Sequence, residues 1–122
     1  MLANWTEKRR TPRVNIKVPL RYQIRGKPEF NNAISADISS GGISFVNNKF
    51  VAPNNYLNIE ISFFAQVINT AAKVIRADSL PHSDNYRLGV EFLELDYRQK
   101  QRLSGYITEQ SKGFSRFSGY SS

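Results

Sequence analysis

The fold class of this chain is decided by the stretch VNIKVPLRYQIR, residues 14–25. Its apolar residues occupy every second position from Val14 to Ile24, and polar residues or proline fill the positions between them. Successive side chains of a β-strand point to opposite faces, so the alternation predicts a long strand with one buried and one solvated face. Pro19 has no amide hydrogen for a ladder, which predicts an edge position or a bulge there.

Five more strands are predicted downstream, separated by turn signals such as Gly26-Lys27-Pro28 and the loop around Pro53. They span residues 33–38, 43–46, 56–63, 66–77 (with a bulge midway) and 86–95. Six short strands with turns between them predict a mainly β chain that forms a small six-stranded antiparallel barrel. Side chains fill the interior of barrels of this size, so we expect any ligand to bind outside or at a rim.

The hydrophobic period changes after the last strand. Asp96 and Gln99 form the signature of a helix N-terminus, and Gly113 predicts the helix end. These boundaries divide the chain into a flexible basic arm (1–13), a β-barrel (14–95), a C-terminal α-helix (96–112) and a tail (113–122). The aromatic residues of the tail, Phe114, Phe117 and Tyr120, leave both a frayed end and a homodimer contact open.

Composition excludes several classes of function. The 122 residues are the size of one domain, and the absence of cysteine excludes disulfides, thiolate metal sites and thiol nucleophiles. His82 is the only histidine and lies in a polar turn, where a histidine is usually just exposed rather than a catalytic base. Glu91 and Glu94 face opposite sides of a strand, so they do not form a catalytic pair of carboxylates. We therefore expect no enzyme activity, metal or cofactor.

The longest uncharged stretch, 61–72, is too short to span a membrane, and the N-terminus lacks a signal-peptide pattern, so a cytoplasmic protein is expected.

The net charge of +7 is concentrated near the N-terminus. Eight of the 17 basic residues lie between Lys8 and Pro28, where there is no acidic residue. A localised positive field attracts phosphate ligands, nucleic acid or an anionic membrane surface.

Two short motifs carry the binding chemistry. In Arg9-Arg10-Thr11-Pro12-Arg13, guanidinium groups can bind phosphate bidentately and match the O6/N7 edge of guanine. In Asp37-Ile38-Ser39-Ser40-Gly41-Gly42, the carboxylate can accept hydrogen bonds from guanine or hold an arginine, and Ser39 can donate to phosphate. The paired glycines allow positive φ and a close backbone approach.

Taken in this order, R-x-x-x-R and then D-x-S-x-x-G, the two motifs resemble those of the PilZ domain family. The strand at residues 14–22 is similar to that family's first strand, and YRLGVEF, residues 86–92, is similar to its last. The resemblance covers residues 7–110 and implies a six-stranded barrel with a following helix. It also implies a bacterial receptor for cyclic di-GMP, a dianionic dinucleotide, that signals through a protein partner in motility, exopolysaccharide or biofilm control.

The resemblance also implies roles for single residues. Arg9 and Arg13 would clamp the phosphates and guanines, with Arg10 a secondary candidate. Asp37 and Ser39 would contact guanine and phosphate from the barrel surface, and Gly42 would shape the turn. We expect the arm to become ordered when it binds the ligand.

Two alternatives stay open. The basic stripe of Lys17, Arg21 and Arg25 faces one side of its strand and could bind nucleic acid. It ranks lower because the sequence shows no exposed aromatic residues interleaved with these charges, as base stacking requires. The other alternative is a PilZ-like module that binds a protein without the dinucleotide, and the intact arginines count against it.

Overall fold

The computed structural model describes residues 13–63 and 66–121, with side chains described as far as residue 110. The six strands are β1 (Pro19–Ile24), β2 (Phe30–Ile38), β3 (Gly42–Asn47), β4 (Tyr56–Ser62), β5 (Val67–Ser79) and β6 (Tyr86–Phe92). They form a closed barrel in the order β1-β2-β3-β6-β5-β4, and every neighbouring pair is antiparallel. One helix follows, α1 (Tyr97–Ser121). The predicted six-stranded antiparallel barrel with a C-terminal helix is confirmed; residues 1–12 of the predicted arm lie outside the described residues.

The barrel interior is filled by the inward side chains that the period-2 pattern predicts. On β1, Leu20 and Tyr22 are buried, and the Tyr22 ring lies 5.3 Å from that of Phe45. Burial raises the pKa of Tyr22, and the hydrogen bond that its hydroxyl accepts from Asn47 Nδ2 at 2.5 Å offsets part of that rise. A core packed in this way directs ligand binding to the outer surface of the barrel.

The first strand is shorter than predicted. β1 begins at Pro19, because a residue without an amide hydrogen is tolerated at the first position of a strand but breaks a ladder in its middle. Upstream of it, Val14 forms only an isolated bridge with Ile38. The predicted bulge in β5 is confirmed, as the register against β6 shifts between Val74 and Arg76.

Helix α1 begins where the sequence predicts and ends later. The Gln99 amide donates to Asp96 Oδ1 at 2.7 Å, which is the predicted cap. Leu103 and Ile107 are buried against the barrel core. The prediction that the helix ends before Gly113 is wrong: a single glycine costs a helix only about 1 kcal/mol relative to alanine and does not by itself end it. In the part of the chain that the structure describes, no helix has the length and apolar character that membrane spanning requires.

Candidate ligand-binding site

Residues 13–18 lie along β2 and place the second motif arginine beside it. Val14 and Ile38 exchange two backbone hydrogen bonds of 3.0 Å each. Between this bridge and the start of β1, the buried Ser35 hydroxyl accepts a hydrogen bond from the Val18 amide at 2.9 Å and donates to the Ile16 carbonyl. The Ser35 amide also donates to the Val18 carbonyl at 3.0 Å, so the backbone and the side chain of Ser35 together take the place of a continuous ladder ahead of Pro19.

Replacing Ser35 by alanine is expected to loosen this segment. The substitution leaves the Val18 amide and the Ile16 carbonyl without their side-chain partner, and such a loss destabilises a protein by about 1–3 kcal/mol. Urea unfolding measures the stability, and hydrogen exchange should be fastest relative to the wild type at the Val14 and Val18 amides. Ser83→Ala, which removes one exposed hydrogen bond to the Asn85 amide, is the control. Equal effects of the two substitutions would contradict this role of Ser35.

Asp37 lies at the centre of an ion-pair cluster. Arg13 Nε donates to Asp37 Oδ1 at 3.1 Å, and its Nη2 lies 3.0 Å from the same oxygen. Arg87 Nη2 donates to Asp37 Oδ2 at 3.0 Å. The Asp37 side chain is 15% exposed, whereas those of Arg13 and Arg87 are 54% and 42% exposed. One nearly buried carboxylate thus holds two guanidinium groups whose outer faces remain accessible to a ligand.

The turn between β2 and β3 holds Ser39 in an inward position. Its amide donates to the Gly42 carbonyl at 2.8 Å, and its hydroxyl accepts from the Gly41 amide at 3.2 Å. Ser39 is buried, although it borders the groove described below. Its hydroxyl is therefore engaged within the turn, and a contact with phosphate stays a prediction.

Gly42 is required for a different reason from the one expected. Of the glycines that the structure describes, only Gly26 has a positive φ, so the turn does not use Gly42 for a left-handed conformation. A Cβ atom at Gly42 would instead lie 2.2 Å from the Val90 carbonyl oxygen. The absence of a side chain lets β3 approach β6 closely at this point.

A groove of about 650 Å³ opens over this cluster on the outer side of β2, β3, β6 and β5. Its basic side chains are Arg13, Arg76 and Arg87, and its acidic side chains are Asp37, Asp78 and Glu91. Cross-strand pairing places Asp37 opposite Ser44, Ser44 opposite Gly89 and Gly89 opposite Arg76. Two small residues therefore lie between the aspartate and an arginine at the far side, and a flat ligand can lie across them.

The structure brings together four of the six predicted site residues: Arg13, Asp37, Ser39 and Gly42. Arg9 and Arg10 lie outside the described residues. Arg76 and Arg87 were not predicted as site residues, because they belong to strands far along the chain and only the barrel register places them at the groove. No cluster of three or more metal-ligating side chains occurs among the described residues.

The sequence model of the PilZ domain family matches residues 7–109 of this chain. The chain belongs to the PilZ domain family. The match extends from the residues just ahead of Arg9 into helix α1, so it includes both motifs and the whole barrel.

Solved structures show the same fold at low sequence identity. The PilZ domain with c-di-GMP of YcgR from Escherichia coli is 14% identical, with a TM-score of 0.72 over 92% of this chain and 98% of that one. The structure of YcgR in complex with c-di-GMP gives 15% identity and a TM-score of 0.80 over 94% of this chain and 51% of that one. The Bacillus subtilis inhibitor of motility MotI/DgrA gives 22% identity and a TM-score of 0.74 over 84% of this chain and 51% of that one.

A curated relative from Aquifex aeolicus, an uncharacterized protein, is 27% identical over 107 residues, which are 87% of this chain. The chain spans about half the length of that relative, 51%. The chain likewise spans 51% of the YcgR chain and 51% of the MotI/DgrA chain, so these neighbours are longer proteins.

Proposed function

We propose that this PilZ domain is a bacterial cyclic di-GMP receptor that changes conformation on binding and signals through a protein partner. The observation that carries the proposal is the meeting of the two motifs: Arg13 of the first lies 3.0 Å from Asp37 of the second, at a groove on the barrel surface. The structures of YcgR with c-di-GMP, which share this fold, support the choice of ligand.

The groove offers both guanidinium and carboxylate groups to a dianionic ligand with two guanine bases. The Asp37 carboxylate can accept hydrogen bonds from the N–H groups on the pairing edge of guanine. Arg13 and Arg87 flank that carboxylate, and guanidinium groups both bind phosphate and stack on planar rings. Binding then exchanges part of the existing ion-pair network for contacts with the ligand.

The proposed ligand-binding set consists of Arg9, Arg10, Arg13, Asp37, Ser39 and Gly42, to which the groove adds Arg87. Arg9 precedes Arg13 by four residues, so an extended arm can place the two guanidinium groups on opposite sides of one ligand. Gly42 contributes the close β3–β6 approach rather than a contact. We assign residues 1–13 as the ligand-binding arm and residues 14–95 as the barrel, with α1 after it.

The conformational change is proposed for the arm. Its arginines repel one another, and a ligand of charge −2 neutralises part of that charge, so contacts with phosphate and guanine can offset the entropy lost on ordering. The ordered arm would present a new surface to the partner. The fold shared with the Bacillus subtilis inhibitor of motility supports motility as one of the processes, besides exopolysaccharide and biofilm control. We propose a cytoplasmic binding role without catalysis.

Isothermal titration of the folded wild-type protein with cyclic di-GMP tests this proposal. We expect saturable heat with a Kd at or below roughly 10 μM, which corresponds to about 7 kcal/mol of binding free energy. GTP and cyclic di-AMP should not compete, because neither presents two guanines on one cyclic dianion. The absence of heat with protein that circular dichroism shows to be folded would overturn the proposal.

A further inference from the structure

The outer surface of β1 and β4 forms a second candidate binding face. In the closed strand order, β1 and β4 lie on the opposite side of the barrel from β3 and β6, which carry the cyclic di-GMP groove. We call it the β1–β4 face. It consists of side chains of β1 and β4 with flanking side chains of β2 and β5: Arg21, Gln23, Arg25 (just after β1), Phe30, Tyr56, Asn58, Glu60, Asn69 and Lys73.

Aromatic rings alternate with basic side chains on the β1–β4 face. The Arg21 guanidinium carbon lies 4.4 Å from the Phe30 ring centre, and that of Arg25 lies 5.1 Å from the Tyr56 ring centre. Phe30 is 51% exposed and Tyr56 is 40% exposed. Phe30 and Tyr56 thus supply the exposed aromatic residues for base stacking that the sequence of β1 alone does not place between the basic residues. They come from β2 and β4, so only cross-strand pairing places them beside it.

Two cations converge on one of these rings. Lys73 Nζ lies 6.0 Å from the Tyr56 centre, on which Arg25 also stacks. Among the described residues, no carboxylate lies within 4 Å of Arg25 or Lys73, whereas Arg21 is paired with Glu60. Glu91 lies opposite Lys73 in the β5–β6 register without forming an ion pair, so both cations stay available to an anion such as phosphate.

Amide side chains complete the face. Gln23, Asn58 and Asn69 border a shallow groove of about 390 Å³, which Phe30 also contacts. The charged side chains that line it are Arg21, Arg25, Glu60 and Glu94. Amide groups offer both hydrogen-bond donors and acceptors, which suits the edges of bases. An acidic peptide would use the two unpaired cations but has no planar rings for Phe30 and Tyr56. The combination of rings, amides and free cations therefore favours a nucleic acid over an acidic protein.

We propose that the β1–β4 face binds single-stranded nucleic acid, with Arg25 and Lys73 at the phosphates and with Phe30 and Tyr56 stacking on bases. Stacking on aromatic side chains along a positive groove is the general mode of sequence-tolerant single-strand binding. The two sites share no lining residue, although both extend onto the flanking strands β2 and β5.

Fluorescence anisotropy with labelled 12-nucleotide oligo(U) and oligo(dT) tests the proposal. We expect binding by the wild type that weakens as salt rises, because phosphate contacts release counter-ions. Tyr56→Ala should lower the affinity roughly 10-fold, the effect expected for one lost stacking contact, and Tyr56→Phe should restore most of it. Arg25→Ala combined with Lys73→Ala should lower both the affinity and its salt dependence.

The control is Lys49→Ala combined with Arg76→Ala, which removes the same charge from exposed positions outside the face. An equal loss in the control would show general charge attraction and overturn the proposal. The absence of binding by the folded wild type at a protein concentration of about 100 μM would also overturn it. Equally strong competition by poly-glutamate would indicate an acidic protein partner and would overturn it as well. Arg13→Ala should bind the oligonucleotides as the wild type does. Displacement by cyclic di-GMP would place them in the other groove and contradict the assignment.

Discussion

Replacing Arg13 by alanine is expected to lower the affinity for cyclic di-GMP by roughly 100-fold or more, while the barrel stays folded. The substitution removes a guanidinium group that can meet both phosphate and guanine. A good bidentate contact with guanine contributes about 1–3 kcal/mol, and a hydrogen bond to a charged group about 1.5–3 kcal/mol. Since tenfold in affinity corresponds to about 1.4 kcal/mol, the loss of both contacts accounts for the expected change.

The structure explains why this variant should keep its fold. The Arg13 side chain is 54% exposed, and exposed ion pairs contribute only about 0–1 kcal/mol. Asp37 is not left as an unpaired charge, because Arg87 still donates to its other oxygen at 3.0 Å. The backbone next to Arg13 is held by the two hydrogen bonds between Val14 and Ile38, which the substitution does not touch.

Arg21→Ala is a matched control for this prediction. Arg21 also pairs with one carboxylate, that of Glu60, and lies on the opposite side of the barrel, so the variant loses the same charge without touching the groove. Titration calorimetry of both variants separates site contacts from the general effect of charge. If Arg13→Ala and Arg21→Ala weaken binding equally, Arg13 is not a ligand contact.

The barrel could be predicted from the sequence because one face of each strand is buried. Alternation along residues 14–25 gives the inward positions directly, and Asp96 marks the start of the helix. The strand ends are less predictable. The same alternation continues through residues 14–18, where it cannot reveal that the Ser35 side chain and a few separate backbone hydrogen bonds take the place of a continuous ladder.

The candidate site could be predicted only where its residues form short local motifs. Asp37 and Arg13 stand out because each motif has a fixed spacing. Arg87 and Arg76 do not, because their position at the groove depends on which strands are neighbours in the barrel and on the shifted register of β5. Phe30 and Tyr56 were missed beside the basic stripe for the same reason.

Replacing Gly42 by alanine is expected to destabilise the barrel by about 3 kcal/mol, the upper part of the range for overpacking a well-filled site. The added Cβ would lie 2.2 Å from the Val90 carbonyl oxygen and 3.4 Å from the Glu91 Cα. Both are backbone atoms of β6, so no side-chain rotation relieves the clash. Relief requires β3 and β6 to separate where Gly42 pairs with Glu91. Urea unfolding should show a lower midpoint.

Gly41→Ala is the control that isolates this cause, because it adds the same methyl group to the neighbouring residue. Its Cβ would meet only Ser39 Oγ, at 4.0 Å, and Gly41 does not have a positive φ. Without a clash, the lower entropy of the unfolded alanine chain can even stabilise the protein by about 0.4–1 kcal/mol. If only Gly42→Ala destabilises the protein, Gly42 is required for the close packing of β3 against β6. If both substitutions destabilise it equally, the glycines are required for the conformation of the turn.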